Sequence, residues 1–182
     1  AFDIELKKFL EDFNPIEIPD NLTSFYYTNI EIKDDKKKKI KFNNEILHQS
    51  KLINYFNGDY TKNKIEKDIN NFLRKVKKNK KYNLTVKDQI FIDSLRSDGV
   101  EIDKKFTDLI DTDVSTIPTD IQVMINNDEK GAVLLRLAEV IGQDKLERID
   151  DDTMYFIISS LNQLNINILR NKILLKVLPL KV

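Results

Sequence analysis

A 34-residue spacing of similar residues constrains the fold of the second half of the chain more than any other feature. Thr85, Thr119 and Thr153 lie 34 positions apart, each at the start of a predicted helix. Apolar residues recur at the same spacing in three further sets, namely Ile90, Met124 and Ile158; Val100, Leu134 and Ile168; and Phe106, Val140 and Leu174. A period of this length is typical of helical hairpins that stack, because one hairpin cannot bury its apolar face alone.

Turn and capping residues divide residues 85–182 into three predicted hairpins. Pro118 suits the first turn of a helix and Gly142 can end one. Asp150 or Asp151 can cap the first helix of the third hairpin. The predicted hairpins comprise residues 85–97 with 102–112, 118–127 with 130–142, and 151–164 with 167–178.

In its period, this part of the chain resembles the tetratricopeptide repeats, over about residues 85–180. The resemblance rests on the period, since the signature small residues of that family are missing. Phe91 or Asp93, for example, stands where the family has a glycine in its first helix. The resemblance implies a mainly α fold in which helical hairpins stack as a short α-solenoid. An irregular helical bundle with evenly sized hairpins is the alternative.

Residues 1–84 are predicted to form a basic N-terminal region that is mostly helical. Apolar spacing predicts a first helix from Phe2 to Phe13, and aromatic and β-branched residues predict a small β-hairpin within 24–42. A helical segment is predicted from Asn44 to Gly58. The strongest stripe predicts a helix that Thr61 caps, with apolar residues at Ile65, Ile69, Phe72, Leu73 and Val76.

Charge is distributed unevenly along a chain that has 30 basic and 30 acidic residues. Residues 33–81 contain 16 basic and 6 acidic residues, whereas residues 91–182 contain 11 basic and 16 acidic ones. The basic stretch could bind the phosphates of a nucleic acid, or an anionic membrane surface by the same electrostatics. An AT-rich genome would also favour Lys codons, so a solvated lysine face is the alternative. The candidate anion patch consists of Lys36, Lys37, Lys38, Lys39, Lys75, Lys77, Lys78, Lys80 and Lys81.

Residue types that could form a catalytic, cofactor or metal site are sparse. The chain has no Cys, and its one histidine, His48, excludes a site made from several histidines. His48 could act as a general base with Glu45, or the two could form an ordinary surface pair. The run Asp150–Asp152 lacks the spaced ligands and turn glycine of a calcium loop and is expected to cap a helix. We therefore predict a non-enzymatic protein without a cofactor or a metal ion.

The last predicted helix, 166–178, is apolar on nearly all sides, so it is either deeply packed or a surface where a partner docks.

We predict that the protein is a helical scaffold or protein-interaction module. The alternative is a nucleic-acid-associated module that uses residues 33–81, and a carboxylate-based enzyme is a third hypothesis. No apolar run approaches the roughly 20 residues that cross a bilayer. Both a bacterial envelope and a cytoplasmic location, and any oligomeric state, are compatible with the sequence. The candidate partner surface consists of Ile166, Leu169, Ile173 and Leu175.

Overall fold

The structure is a computed structural model that describes residues 40–79, 82–110, 117–142 and 145–181. These residues are mainly helical, which confirms the predicted fold class. Ile40–Val182 forms one compact unit, and its core combines residues from both sides of position 85. The helix predicted from Phe2 to Phe13 lies outside the described residues.

Helices and short 3₁₀ turns account for most of the described chain. The helices are α1 (Lys62–Lys78), α2 (Val86–Ser97), α3 (Thr107–Ile110), α4 (Thr119–Asn126), α5 (Lys130–Ile141), α6 (Asp151–Gln163) and α7 (Asn167–Val177). The 3₁₀ turns are Leu47–Gln49, Lys51–Asn57, Lys104–Phe106 and Leu146–Arg148. Two short strands, β1 (Ile40–Lys41) and β2 (Leu180–Lys181), pair antiparallel with Ile40 opposite Lys181. The β-hairpin predicted within 24–42 falls mostly outside the described residues, and its described part pairs with β2.

Helix α1 follows directly from its apolar spacing. Ile65, Ile69 and Leu73 are fully buried, at the predicted i, i+4 and i+8 positions. The segment before it differs from the prediction, because it forms two 3₁₀ turns in place of one α-helix. Ser50 separates the two turns, since its backbone is extended and its side chain accepts a hydrogen bond from the nitrogen of Leu52 at 3.4 Å.

The centre of the bundle is the contact between α2 and α6. The buried apolar side chains of these helices are Ile90, Phe91, Ile92 and Leu95 on α2, and Met154, Phe156, Ile157, Ile158 and Leu161 on α6. The Tyr155 hydroxyl also donates a hydrogen bond to Asp93 across this contact, at 3.1 Å. In a solenoid each repeat contacts only its neighbours. Here the first and third predicted hairpins contact each other directly, so the described helices are arranged as a bundle.

Residues that share the 34-residue phase differ in their structural roles. Thr85 caps α2, Thr119 is the first residue of α4, and Thr153 lies in the first turn of α6, which Asp150 caps. The helix predicted at 102–112 is a 3₁₀ turn followed by the four-residue α3, and residues 111–116 lie outside the described part. Helices α2, α4 and α6 begin 33 and 32 residues apart, whereas α3, α5 and α7 begin 23 and 37 residues apart, so residues that share the phase have different surroundings.

Substitution of Thr85 and of Thr119 tests whether only the first of them caps a helix. Thr85 accepts a hydrogen bond from the Asp88 nitrogen at 3.3 Å, so we expect Thr85→Ala to lower the free energy of unfolding by about 1 kcal/mol. Thr119 is exposed and caps no helix, so Thr119→Ala should change it by less than about 0.5 kcal/mol. Urea denaturation measures both values. Equal losses at the two positions would contradict the assignment and favour a shared capping role.

Candidate functional site

A buried carboxylate, Asp88, lies at the centre of a polar network at the start of α2. Its Oδ1 accepts a hydrogen bond from the backbone nitrogen of His48 at 3.0 Å and lies 2.7 Å from His48 Nδ1. Its Oδ2 accepts from the Tyr82 hydroxyl at 2.9 Å and from the nitrogen and hydroxyl of Thr85 at 3.0 and 3.1 Å. Because an ionised carboxylate only accepts, His48 Nδ1 carries the proton in this pair.

The network keeps Asp88 ionised inside the protein. Burial would raise the pKa of this carboxyl, but the hydrogen bonds from His48 and Thr85 outweigh it, so the pKa is lowered. Burial raises the pKa of Tyr82 well above its ordinary value, so its hydroxyl stays protonated and donates to Asp88. The ion and its donors therefore stabilise each other at neutral pH.

The surroundings of His48 correct the sequence-based interpretation. His48 is 5% exposed and contacts Asp88, which is 40 residues away in the chain, whereas Glu45 is exposed. The surface pair of His48 with Glu45 is thus replaced by a buried pair with Asp88. The capping-box spacing from Thr85 to Asp88 was a signal for the cap, but no local pattern could indicate the histidine.

A groove of about 480 Å³, which we call the Tyr82 groove, opens beside this network. Its aromatic wall is formed by Phe72 and Tyr82, whose rings meet edge to face with centroids 6.3 Å apart. The Tyr82 hydroxyl also accepts a hydrogen bond from the Leu47 nitrogen at 3.0 Å, so the ring is held from two sides. The groove is lined by Asn43, Asn44, Glu45, Ile46, Phe72, Lys75, Val76, Asn79 and Tyr82.

The predicted anion patch is described only in part. Lys36 to Lys39, Lys80 and Lys81 lie outside the described residues. Lys75, Lys77 and Lys78 are exposed at the end of α1, and Lys75 also lines the Tyr82 groove. The structure brings Lys104 and Lys105, which lie outside the basic stretch, close to these lysines. Lys77 Nζ donates a hydrogen bond to the carbonyl oxygen of Lys105 at 2.9 Å. This contact places the Lys104–Phe106 turn beside the last turns of α1.

A second buried charge, Arg170, holds α7 against the rest of the bundle. The side chain is fully buried, and its Nη2 lies 2.8 Å from both carboxylate oxygens of Asp98. Its Nη1 donates to Asn162 Oδ1 at 3.1 Å, and the guanidinium lies over the Phe56 ring at 5.5 Å. The charge is therefore paired and hydrogen-bonded, as a buried arginine requires.

The candidate partner surface on the last helix divides between core and surface. Ile173 lies in the core, Ile166 and Leu175 are partly buried, and Leu169 is 40% exposed. The neighbouring Ile168, which was not in the candidate set, is 77% exposed. This helix thus uses Ile173 and Leu174 for packing within the chain, whereas Ile168 and Leu169 remain exposed.

Helix α5 has an apolar surface that lies outside the candidate partner surface. This helix packs against α4 through the buried side chains of Val133 and Leu137. Leu135, between them in sequence, is 66% exposed on the other side of the helix. The signal in the sequence is that α5 carries apolar residues around most of its circumference, as the last helix does.

The acidic run at the start of α6 has the predicted capping role through its first residue, Asp150. Asp150 accepts a hydrogen bond from the Thr153 nitrogen at 2.9 Å, and this bond lowers the pKa of Asp150. In the part of the chain that the structure describes, no group of three or more His, Cys, Asp or Glu side chains is placed to hold a metal ion. Within the same ranges, none of the helices has the length and apolar character needed to cross a membrane.

The fold and these features define a mainly α-helical bundle with two buried charged networks, a polar groove and an apolar surface on α5. Comparison with protein families, with curated proteins and with solved structures finds no match to the chain. Functional inference therefore depends on the chemistry of the surfaces themselves.

Proposed function

We propose that the chain is a non-enzymatic helical module that binds another protein through the outer face of α5. We define the α5 outer face as Gly131, Leu135 and Ala138, which are all exposed and follow one another at i, i+4 and i+7. The observation that carries the proposal is the 66% exposure of Leu135 on this face. A surface helix ordinarily has polar residues opposite its buried side, and this helix has a large apolar residue there.

The charged residues of α5 contact neighbours within the chain. Arg136 Nη1 lies 2.9 Å from Glu139 Oε2, and Lys130 Nζ lies 3.5 Å from Asp128. The α5 outer face is an apolar strip, and the paired charges lie at its margins. Protein interfaces commonly have such an apolar centre with a polar rim. The two small residues on either side of Leu135 would let an apolar helix of the partner approach closely. The partner that fits this surface is an amphipathic helix.

The non-enzymatic part of the proposal is supported by the use of His48 inside the fold. The side chain is only 5% exposed and does not line the Tyr82 groove. A general base needs to reach the proton that it removes. The pair of His48 and Asp88 instead positions the aromatic wall of the groove through Tyr82.

Two leucines on α5 provide a matched pair of substitutions that measures how much each side chain contributes to the stability of the fold. Leu137 is buried, so we expect Leu137→Ala to lower the free energy of unfolding by about 2–5 kcal/mol. We expect Leu135→Ala to change it by less than about 0.5 kcal/mol, because its side chain is mostly exposed. Chemical denaturation of both variants checks this. A loss above 1.5 kcal/mol for Leu135→Ala would mean that the fold, and not a partner, uses this residue.

Site-specific photocrosslinking in cells that express the chain tests the proposal directly. With benzoylphenylalanine at position 135, we expect a discrete protein adduct that disappears when Ala138 is replaced by Glu. The matched control carries the same crosslinker at Lys67, an exposed position on α1, and should give no such adduct. An adduct with twice the mass of the chain identifies a second copy as the partner. No adduct at position 135, or the same adducts at both positions, would refute the proposal.

A further inference from the structure

We propose that the Tyr82 groove and the adjoining end of α1 bind single-stranded nucleic acid, with phosphates on the lysines and a base in the groove. This site is separate from the α5 outer face and goes beyond the proposed protein-binding function. We call the basic part of the site the cationic edge. It consists of Arg74, Lys75, Lys77, Lys78, Lys104 and Lys105.

The cationic edge is assembled by tertiary contacts that fasten residues 101–105 along α1. The nitrogen of Glu101 donates to Glu66 Oε1 at 3.1 Å, and the nitrogen of Asp103 donates to Asn70 Oδ1 at 2.8 Å. The Lys77 Nζ hydrogen bond to the Lys105 carbonyl continues this alignment to the end of the helix. Two lysines from outside the basic stretch are thereby added to those of the last turns of α1.

The charge of this edge is suited to a polyanion. The helix from residue 69 to its end contains four cations and no acidic residue. Within the added segment, Asp103 contacts Lys105, which leaves Lys104 exposed beside the helix end. Because clustered lysines repel each other, a ligand with closely spaced phosphates stabilises them most. Binding also releases the counterions of that ligand.

The Tyr82 groove has aromatic rings and hydrogen-bonding groups that suit a nucleobase better than a phosphate. Lys75 belongs to both the cationic edge and the groove lining, so the two are continuous. Phe72 and Tyr82 are partly exposed aromatic rings on which a base can stack. Glu45 at the groove repels a phosphate but can accept a hydrogen bond from a base, such as the ring N–H of thymine or uracil. The phosphates are therefore directed to the lysines and the base to the groove.

Two asparagines favour recognition of an unpaired base. Asn43 and Asn44 line the groove, and their amide nitrogens can donate to acceptors on a base edge. The pairing edges of the bases are accessible in a single strand, whereas in a duplex these edges are paired and the faces are stacked. The Tyr82 ring is already fixed by its bonds to Asp88 and the Leu47 nitrogen, so binding need not order it.

Fluorescence anisotropy of the full chain with labelled 15-nucleotide oligo(dT) and oligo(U) tests the lysine contacts. We expect binding at 50 mM salt that weakens at 200 mM. The triple variant Lys75→Gln, Lys77→Gln, Lys78→Gln should lose at least about 10-fold in affinity. The control triple Lys62→Gln, Lys64→Gln, Lys67→Gln removes the same charge from the other end of α1 and should lose less than about 3-fold. Absence of binding at 50 mM salt, or equal losses in both triples, would overturn the proposal.

A second comparison tests whether a base enters the groove. Phe72→Leu removes the ring and keeps an apolar side chain, so we expect affinity for oligo(dT) to fall about 5-fold to 100-fold. The same oligonucleotide in duplex form, and vesicles containing phosphatidylserine, should bind more weakly than the single strand and should not respond to Phe72→Leu. Equal binding of duplex or vesicles, or an unchanged affinity of folded Phe72→Leu for the single strand, would count against the groove. If Phe72→Leu fails to fold by circular dichroism, the two lysine triples and the duplex comparison decide the matter.

Discussion

Replacing Arg170 by Met is expected to lower the free energy of unfolding by about 3–5 kcal/mol, because it leaves the carboxylate of Asp98 without its buried partner. The substitution also removes the donor to Asn162 and the cation over the Phe56 ring. For a chain of this length the loss corresponds to a fall in Tm of roughly 10 °C. Thermal and urea denaturation of the full chain measure both quantities.

An exposed ion pair of nearly the same distance provides the control for Arg170. Arg136 lies 2.9 Å from Glu139, but both side chains are about half exposed, so Arg136→Met should cost less than about 1 kcal/mol. Adding Asp98→Leu to Arg170→Met should recover part of the loss, since it removes the uncompensated charge. A loss below 1.5 kcal/mol for Arg170→Met alone would show that Asp98 is stabilised without the arginine.

Replacing Asp88 by Asn is expected to lower the free energy of unfolding by about 2–4 kcal/mol at neutral pH. The amide keeps the shape of the side chain but turns one acceptor oxygen into a donor. That donor would face either the His48 groups or those of Tyr82 and Thr85, all of which donate to Asp88. Asp108→Asn, at an exposed position on α3, is the matched control and should change stability by less than about 0.5 kcal/mol.

The cost of Asp88→Asn should also depend on pH, with a definite sign. The pKa of Asp88 is lower in the folded chain than in the unfolded one, since its hydrogen bonds outweigh its burial. Its stabilising contribution is therefore complete above about pH 5 and declines as the pH falls through the unfolded-state pKa towards the folded-state pKa. The difference between wild type and variant should shrink by up to about 1.4 kcal/mol per pH unit in that range. A difference that stays constant or grows from pH 5 to pH 3 would contradict this sign.

The features that were predicted correctly are those that neighbouring residues determine. The apolar stripe from Ile65 to Val76 predicts α1, and Thr85 and Asp150 are the caps that their positions before α2 and α6 indicate. Helical periodicity and capping act over three or four residues, so they can be read along the chain. The 3₁₀ turns before Gly58 show the limit of such rules, because one serine with an extended backbone interrupts an otherwise helical pattern.

The features that were not predicted join residues that are distant in the chain. His48 meets Asp88 across 40 positions, and Arg170 meets Asp98 across 72. The addition of Lys104 to the cationic edge depends on the alignment of its segment with α1. A pattern in one stretch of sequence contains no information on which distant segment will pack against it, so these pairs depend on the packed bundle.

The sequence by itself determined the mainly helical class and the positions of the strongest helices. These follow from local backbone preferences and from the side of each helix that must be buried. Only the tertiary structure decided that α2 packs against α6, which makes a bundle of the described helices, and that Ile173 is buried while Leu135 is exposed. The physical reason is that burial depends on which neighbour covers a face, and an apolar residue has the same hydrophobicity in a core as on a surface.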